Sequence, residues 1–184
     1  MYPLPLRARA MPPALSDTRL AELGDTGEFL LTDIGKSFFP MPADRPVREL
    51  RIYQVLPKSE THVANRPRIG YANAESARML LGSVPVAPDG SAYFRAPAHK
   101  PLLFQAVDLE GRAVQTMRSV TYLQPGERRS CVGCHEPRPA TPGKNAVSAF
   151  LRTPDDIAPG PDGTMPWSFP RLMQPLLDRR CVEC

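Results

Sequence analysis

The run Leu102-Leu103-Phe104-Gln105-Ala106-Val107-Asp108-Leu109-Glu110-Gly111 carries the strongest indication of fold in this chain of 184 residues. Its apolar part predicts a buried strand, and Asp108–Gly111 predicts a hairpin turn, with glycine where a positive φ is needed. The return strand is predicted over Arg112–Leu123, before Pro125-Gly126. These residues place an antiparallel hairpin in the middle of the chain.

Shorter strands precede this hairpin. They are predicted at Gly27–Ile34, Leu50–Val55, Ser83–Val86 and Ala92–Phe94, with a turn at Pro88-Asp89-Gly90. Residues 74–80 are consistent with a short helix capped by Asn73, and a strand through Met79–Leu81 is the competing interpretation. Several short strands separated by turn residues predict a mainly β chain built around an antiparallel β-sandwich-like domain.

The composition and charge of the chain argue against some classes of function. The 23 prolines predict short elements and much ordered loop, and the net charge of +4 comes from scattered arginines rather than a basic run. A nucleic-acid role therefore has little support. The chain contains no segment that could span a membrane, and its first residues lack the apolar core of a signal peptide.

Cys131-Val132-Gly133-Cys134-His135 is the motif that carries chemistry. Two cysteines three residues apart, followed at once by histidine, are the attachment signature of haem c. If the segment forms a helical turn, both sulfurs lie on one side of it and can reach the two vinyl groups of one haem edge. The prediction is that Cys131 and Cys134 bind haem and that His135 is an axial iron ligand.

The chain ends on a related pair, Cys181 and Cys184. A histidine at position 185 would complete a second attachment site. We therefore expect the sequence to be a fragment of a longer protein whose second haem is bound by these two cysteines. Because haem c is attached outside the cytoplasm, an extracytoplasmic location is expected, with the signal peptide upstream of this fragment.

Two other uses of the cysteines remain open at this stage. One is a zinc site formed by all four, although zinc ribbons place their pairs only about 15–20 residues apart. The other is a set of local disulfides; with either zinc or disulfides the chain would be a non-enzymatic interaction module. A thiol–disulfide redox pair is a further alternative. The second axial position of a bound haem is also open, with Met117, Met165, Met173, His62 and His99 as candidates. Arg128 and Arg129 could pair with haem propionates.

The sequence divides into four parts. Residues 1–46 are a Pro-rich connection, 47–138 the haem-bearing domain, 139–168 a Pro/Gly-rich linker, and 169–184 the truncated start of a helical cytochrome c domain. In this last part Leu172, Met173, Leu176 and Leu177 share one helical face, and Pro175 suits a first turn.

The central part resembles a known family. The residues that carry the resemblance are Leu81–Val86, Asp89–Phe94, Leu103–Gln105, Met117–Ser119 and Cys131–Glu136. On these the chain is similar to the middle domain of the hydrazine synthase alpha subunit, a domain shared by multihaem proteins of the planctomycete type. The resemblance implies a β-propeller upstream and a second c-type haem domain downstream. A redox protein would also need a partner protein, whose identity the sequence does not reveal.

One departure from the family bears on activity. As the resemblance implies, hydrazine synthase has a tyrosine four residues after the motif histidine as an iron ligand, and its histidine binds zinc. The corresponding residue here is Pro139, which has no ligating atom. The resemblance therefore implies electron transfer or redox catalysis at haem, without hydrazine synthesis, and it leaves His135 as the proximal ligand.

Overall fold

Two β-sheets face each other in the computed structural model of the chain. It describes residues 11, 13–14, 17, 19–37, 39–57, 77–134, 147–160, 163–166 and 168–182. Seven strands occur among these residues: β1 Thr26–Leu31, β2 Val47–Val55, β3 Arg78–Pro85, β4 Ala92–Pro97, β5 Leu102–Asp108, β6 Ala113–Thr116 and β7 Arg128–Cys131. The prediction of a mainly β, sandwich-like fold is confirmed.

The first sheet has the strand order β4-β1-β7, and the second has the order β3-β2-β5-β6. All pairs are antiparallel except β1 with β7, which run parallel. Consequently β7 is an edge strand of the first sheet and β6 an edge strand of the second. This arrangement matters for the site, because both edges border the same cavity.

Aromatic side chains join the two sheets. The ring of Phe104 on β5 lies 5.1 Å from that of Phe29 on β1 and 5.6 Å from that of Phe94 on β4, both in edge-to-face geometry. Such contacts add about 0.5–1.5 kcal/mol each to the burial of the rings. Leu50 and Ile52 of β2 complete the centre of the core and are almost entirely buried.

The predicted turns form as the residues indicated. Asp108 Oδ1 accepts hydrogen bonds from the backbone amides of Glu110 and Arg112 at 3.0 and 2.8 Å, which closes the β5–β6 connection around Gly111 at φ 74°. In the β3–β4 connection Gly90 has φ 82°, a conformation that glycine adopts without a Cβ clash.

Several elements differ from the sequence predictions. The predicted helix over residues 74–80 is wrong for residues 77–80, the part that the structure describes, since Arg78 begins β3. The competing prediction of a strand through Met79–Leu81 is confirmed. The return strand predicted over Arg112–Leu123 is short: β6 ends at Thr116, and pairing resumes only at a bridge between Leu102 and Thr121. The sequence did not predict β7, which pairs with a strand a hundred residues earlier.

The segment 147–160, assigned to a linker from its prolines, lies against the sandwich. It contains a 3-10 turn at Ser148–Leu151. The amide of Asp155 donates to the carbonyl of Tyr93 at 2.8 Å, and the amide of Ala158 donates to that of Ser83 at 2.9 Å. These bonds fix the segment beside β4 and β3.

A short helix is present near the end of the chain. A π-helical turn at Phe169–Met173 continues into α1, Gln174–Arg180, with Pro175 in its first turn as expected. Leu172 and Leu177 are half-buried, while Met173 and Leu176 are exposed. Among the residues of this segment that the structure describes, none is fully buried.

Candidate functional site

The Cys-x-x-Cys motif begins at the end of strand β7. Cys131 is the last residue of this strand and pairs with Leu31 in the parallel ladder with β1. Its carbonyl accepts a hydrogen bond from the amide of Thr32 at 2.9 Å, and the hydroxyl of Thr32 donates to the carbonyl of Val132 at 2.8 Å. The motif is thus held by the backbone that follows β1.

The second half of the motif is held by the same loop. The amide of Cys134 donates to the carbonyl of Lys36 at 2.9 Å, and Cys134 forms a bridge with Ser37. A Cβ at Gly133 would come within 2.0 Å of the Lys36 carbonyl oxygen, so only glycine fits this approach. Residues 131–134 therefore follow the sheet edge and do not form the helical turn that the spacing suggested.

Both cysteines line one apolar cavity between the two sheets. Its volume is about 330 Å³, within the range of roughly 300–1,000 Å³ that is usual for ligand sites. The first sheet and its edge supply Phe29, Leu31, Phe94, Cys131, Gly133 and Cys134, and the second sheet and the chain after it supply Leu50, Phe104, Gln115, Met117, Ser119 and Thr121. The cysteines are half-buried.

The cavity has few polar side chains, and several of them already take part in hydrogen bonds. Gln115 Oε1 accepts a hydrogen bond of 3.2 Å from the hydroxyl of Ser37, which connects the motif-holding loop to the second sheet. Arg129 donates to the hydroxyl of Thr121 at 3.4 Å and pairs with Glu127 at 2.6 Å. The interior of the cavity is thus mostly aromatic and aliphatic.

The two arginines before the motif have different roles. Arg129 is two residues from Cys131 in the strand, so both lie on the cavity face of β7. Arg128 lies on the opposite face, where its Nε donates to Glu28 Oε2 at 2.8 Å and its guanidinium stands 6.0 Å from the ring centre of Tyr93. Of the pair considered for propionates, Arg129 alone is on the cavity side.

Glu28 is a buried carboxylate that these contacts satisfy. The hydroxyl of Tyr93 also donates to Glu28 Oε2. Burial, followed by this hydrogen bond to a carboxylate, raises the pKa of Tyr93, and the hydrogen bond to Glu28 raises the pKa of Arg128. With both pKa values raised, Tyr93 and Arg128 keep their protons near neutral pH, and their contacts with Glu28 fix β7 against β1 and β4.

The other candidate ligands lie elsewhere or outside the described residues. Met165 is 57% exposed and Met173 is exposed in the C-terminal segment, while His99 lies in the β4–β5 connection at φ 57°. Cys181 is exposed beyond α1. His135, Cys184, His62 and Pro139 fall outside the described residues, so their predicted roles stay predictions.

Sequence reasoning missed the residues that shape the cavity and hold the motif. Phe29 and Leu31 alternate in β1, and this alternation indicated that they share one face of a strand. It could not indicate that this face borders a cavity, because the facing sheet was not known. Nothing in the sequence indicated that Thr32 and Lys36 hold the backbone of the motif. Among the described residues, no group of three or more His, Cys, Asp or Glu could hold a metal ion, and no helix is long and apolar enough to cross a membrane.

Comparisons with known proteins agree with this architecture. Residues 45–136, half of the chain, match the family described as "Hydrazine synthase alpha subunit middle domain". A solved structure titled "Kuenenia stuttgartiensis Hydrazine Synthase" is similar in fold, with a TM-score of 0.65 and 21% sequence identity. The similarity covers 88% of this chain and 29% of that one. No curated protein matches the sequence.

Proposed function

The chain belongs to the hydrazine synthase alpha subunit middle domain family, and from this premise we propose that it is a c-type haem domain of a multihaem redox protein. The observation that carries the proposal is the position of the motif. Cys131 and Cys134 both border the apolar cavity of about 330 Å³ between the sheets. Two cysteines beside one apolar pocket suit an apolar cofactor that is attached along one edge.

The cysteines would attach the group covalently. Each thiol adds across one vinyl double bond: the sulfur bonds to one vinyl carbon and the proton goes to the other, so the addition consumes no oxidant. His135, the next residue in the motif, would supply an imidazole nitrogen to the iron. Cys181 and Cys184 would bind a second haem in the same manner in the parent protein.

The protein would contribute rigidity and a dry environment. Phe29, Phe94 and Phe104 form the apolar wall, and the loop containing Thr32 and Lys36 holds the motif backbone. Burial and solvent exclusion are among the properties by which a protein sets a haem potential. A bound haem supplies reversible one-electron chemistry at its iron, which serves electron transfer or redox catalysis.

We do not extend the proposal to hydrazine synthesis. Pro139 stands at the position that the family resemblance gives to an iron-ligating tyrosine, and its side chain has no ligating atom. The chain also spans only 29% of the similar solved chain. The proposal includes an extracytoplasmic location and a redox partner protein, because covalent haem attachment takes place outside the cytoplasm.

The test is expression of the 184-residue chain, exported in a bacterium that has haem-attachment machinery. We expect a polypeptide that stains for haem on a denaturing gel, with a mass increased by at least one haem and a reduced c-type absorbance band. Cys131→Ser with Cys134→Ser should abolish attachment at this motif, whereas Ser130→Ala should leave it unchanged.

Failure would take a recognisable form. A colourless product with the mass of the amino acids alone would refute haem binding. Zinc bound in stoichiometric amount, lost in the double cysteine variant, would support the alternative of a structural metal site. A mass two hydrogens lower per cysteine pair would support local disulfides.

A further inference from the structure

Met117 lies on the opposite sheet from the two cysteines but lines the same cavity. It directly follows β6, and its amide donates a hydrogen bond of 2.9 Å to the carbonyl of Phe104. Residues opposite each other in an antiparallel ladder share one face of the sheet. Since Phe104 contacts Phe29 and Phe94 of the other sheet, Met117 is on the inner face as well.

The surroundings distinguish Met117 from the other methionines that the structure describes. Met165 and Met173 belong to the exposed C-terminal segment. Met41 and Met79 pack against the hydrophobic core and do not line the cavity. Met117 alone among the described methionines combines partial burial with a place beside Cys131 and Cys134.

The side-chain groups that could ligate iron in this cavity also indicate Met117. Besides the two cysteines, its described lining holds one amide, two hydroxyls and one thioether. The amide of Gln115 and the hydroxyl of Thr121 already take part in hydrogen bonds. Of these groups, only the methionine thioether is among the usual axial ligands of a c-type haem.

We propose that Met117 Sδ is the second axial ligand of the haem carried by Cys131 and Cys134. This inference rests on the proposed function. The other axial ligand would be His135, the residue after Cys134 in the sequence, and Met117 follows the edge strand of the second sheet. With both axial positions filled, the haem would serve electron transfer, because no position would be open to a small molecule.

The chain after the short β6 continues along the cavity. The strand ends at Thr116, and the chain after it carries Met117, Ser119 and Thr121 along the cavity before the bridge at Thr121. Met117 is the first residue after the edge strand, at the point where the chain begins to pass along the cavity.

The experiment uses the haem-loaded 184-residue chain and four variants. Met117→Leu keeps the size and apolar character of the side chain but removes the sulfur, and Met117→His restores a ligand of another type. Met79→Leu is the matched control, because that methionine is also half-buried but lies away from the cavity. Cys131→Ser with Cys134→Ser reports on haem attachment alone.

We expect the oxidised wild-type protein to show the sulfur-to-iron charge-transfer band and the reduced protein to resist carbon monoxide. Met117→Leu should lose the band, bind carbon monoxide readily and show a lower reduction potential. Met117→His should resist carbon monoxide again without recovering the band. Met79→Leu should behave as the wild type. A merely structural role of Met117 would not move the band or the gas-binding spectrum in this pattern.

Two results would overturn the inference and are separable from failure of the proposed function. If haem is attached but the wild type lacks the band and binds carbon monoxide freely, Met117 is not a ligand while the haem assignment stands. If Met117→Leu retains the band, another methionine supplies the sulfur. Absence of covalent haem in the wild type would instead refute the proposed function, and this inference with it.

Discussion

Arg128 Nε lies 2.8 Å from Oε2 of Glu28, a buried carboxylate on the neighbouring parallel strand. This contact joins the strand that ends at Cys131 to the central strand of its sheet. It lies on the face of the sheet opposite the cavity, so it can be altered without touching the proposed haem site.

Replacing Arg128 with methionine should destabilise the chain by about 1–2 kcal/mol. The buried carboxylate loses a charged hydrogen-bond donor, worth about 1.5–3 kcal/mol, but the arginine side chain is 43% exposed, so solvent replaces part of the contact. Urea denaturation measures the change. Arg19→Met, which breaks the exposed pair with Asp17, should leave the urea midpoint almost unchanged, because solvent replaces the contact. Equal effects of the two substitutions would contradict the structural role of Glu28.

Asp108 should make stability depend on pH in acid. Although burial raises the pKa of Asp108, hydrogen bonds from the backbone amide of Arg112 and from the side chains of Arg45 and Arg112 lower it to about 2. The unfolded chain has the ordinary aspartate pKa of about 3.9. The folded state therefore binds a proton less readily, and the stabilisation is present above about pH 4 and is lost as the pH falls towards 2.

The measurement is the urea midpoint between pH 6 and pH 2 for the wild type and Asp108→Asn. We expect the variant to be less stable near neutral pH, with a difference that shrinks as the pH approaches 2. Asp44→Asn, an exposed position before β2, is the control. A gap between wild type and Asp108→Asn that stays constant over this range would show that the charge of Asp108 does not stabilise the turn.

Local chemistry explains which parts of the fold could be predicted from the sequence. The hairpin at Asp108–Gly111 and the turn at Gly90 depend on residues next to each other in the chain, and both formed as expected. Pro175 marked the first turn of α1 for the same reason. The choice between helix and strand at Met79–Leu81 depends on pairing with β2. The local sequence does not reveal this partner, so it could not decide between the two.

Long-range pairing explains what could not be predicted. β1 pairs with β4, about 65 residues later in the sequence, and with β7, 100 residues later. The residue pattern within a strand does not indicate which strand it pairs with. The motif cysteines were recognised from their spacing, but the predicted helical turn was wrong because Thr32 and Lys36 hold the motif in an extended path. The cavity could not be foreseen, since its walls come from two sheets.

Gly133→Ala should damage the motif although the added methyl group is small. The new Cβ would come within 2.0 Å of the Lys36 carbonyl oxygen, a backbone atom that cannot move independently. Overpacking of this kind costs about 1–3 kcal/mol. The urea midpoint of the chain made without haem measures this cost, and the yield of haem attachment should fall as well. Gly35→Ala meets only the flexible side chain of Asp33 and should have a much smaller effect; similar losses in both variants would argue against the tight approach at Gly133.

If the chain binds haem as proposed, attachment should stabilise the sandwich, because the porphyrin would cover apolar surface of the cavity between the sheets. Removing roughly 100–150 Å² of apolar surface from water at about 25 cal/mol per Å² corresponds to about 2–4 kcal/mol. We expect the haem-loaded chain to have a higher urea midpoint than the same chain made without attachment machinery. The variant with Cys131→Ser and Cys134→Ser, produced in both hosts, should give one common midpoint. If covalently loaded and unloaded wild-type chains unfold together, the porphyrin lies outside the cavity lined by Phe29, Phe94 and Phe104, and the apolar wall serves the fold alone.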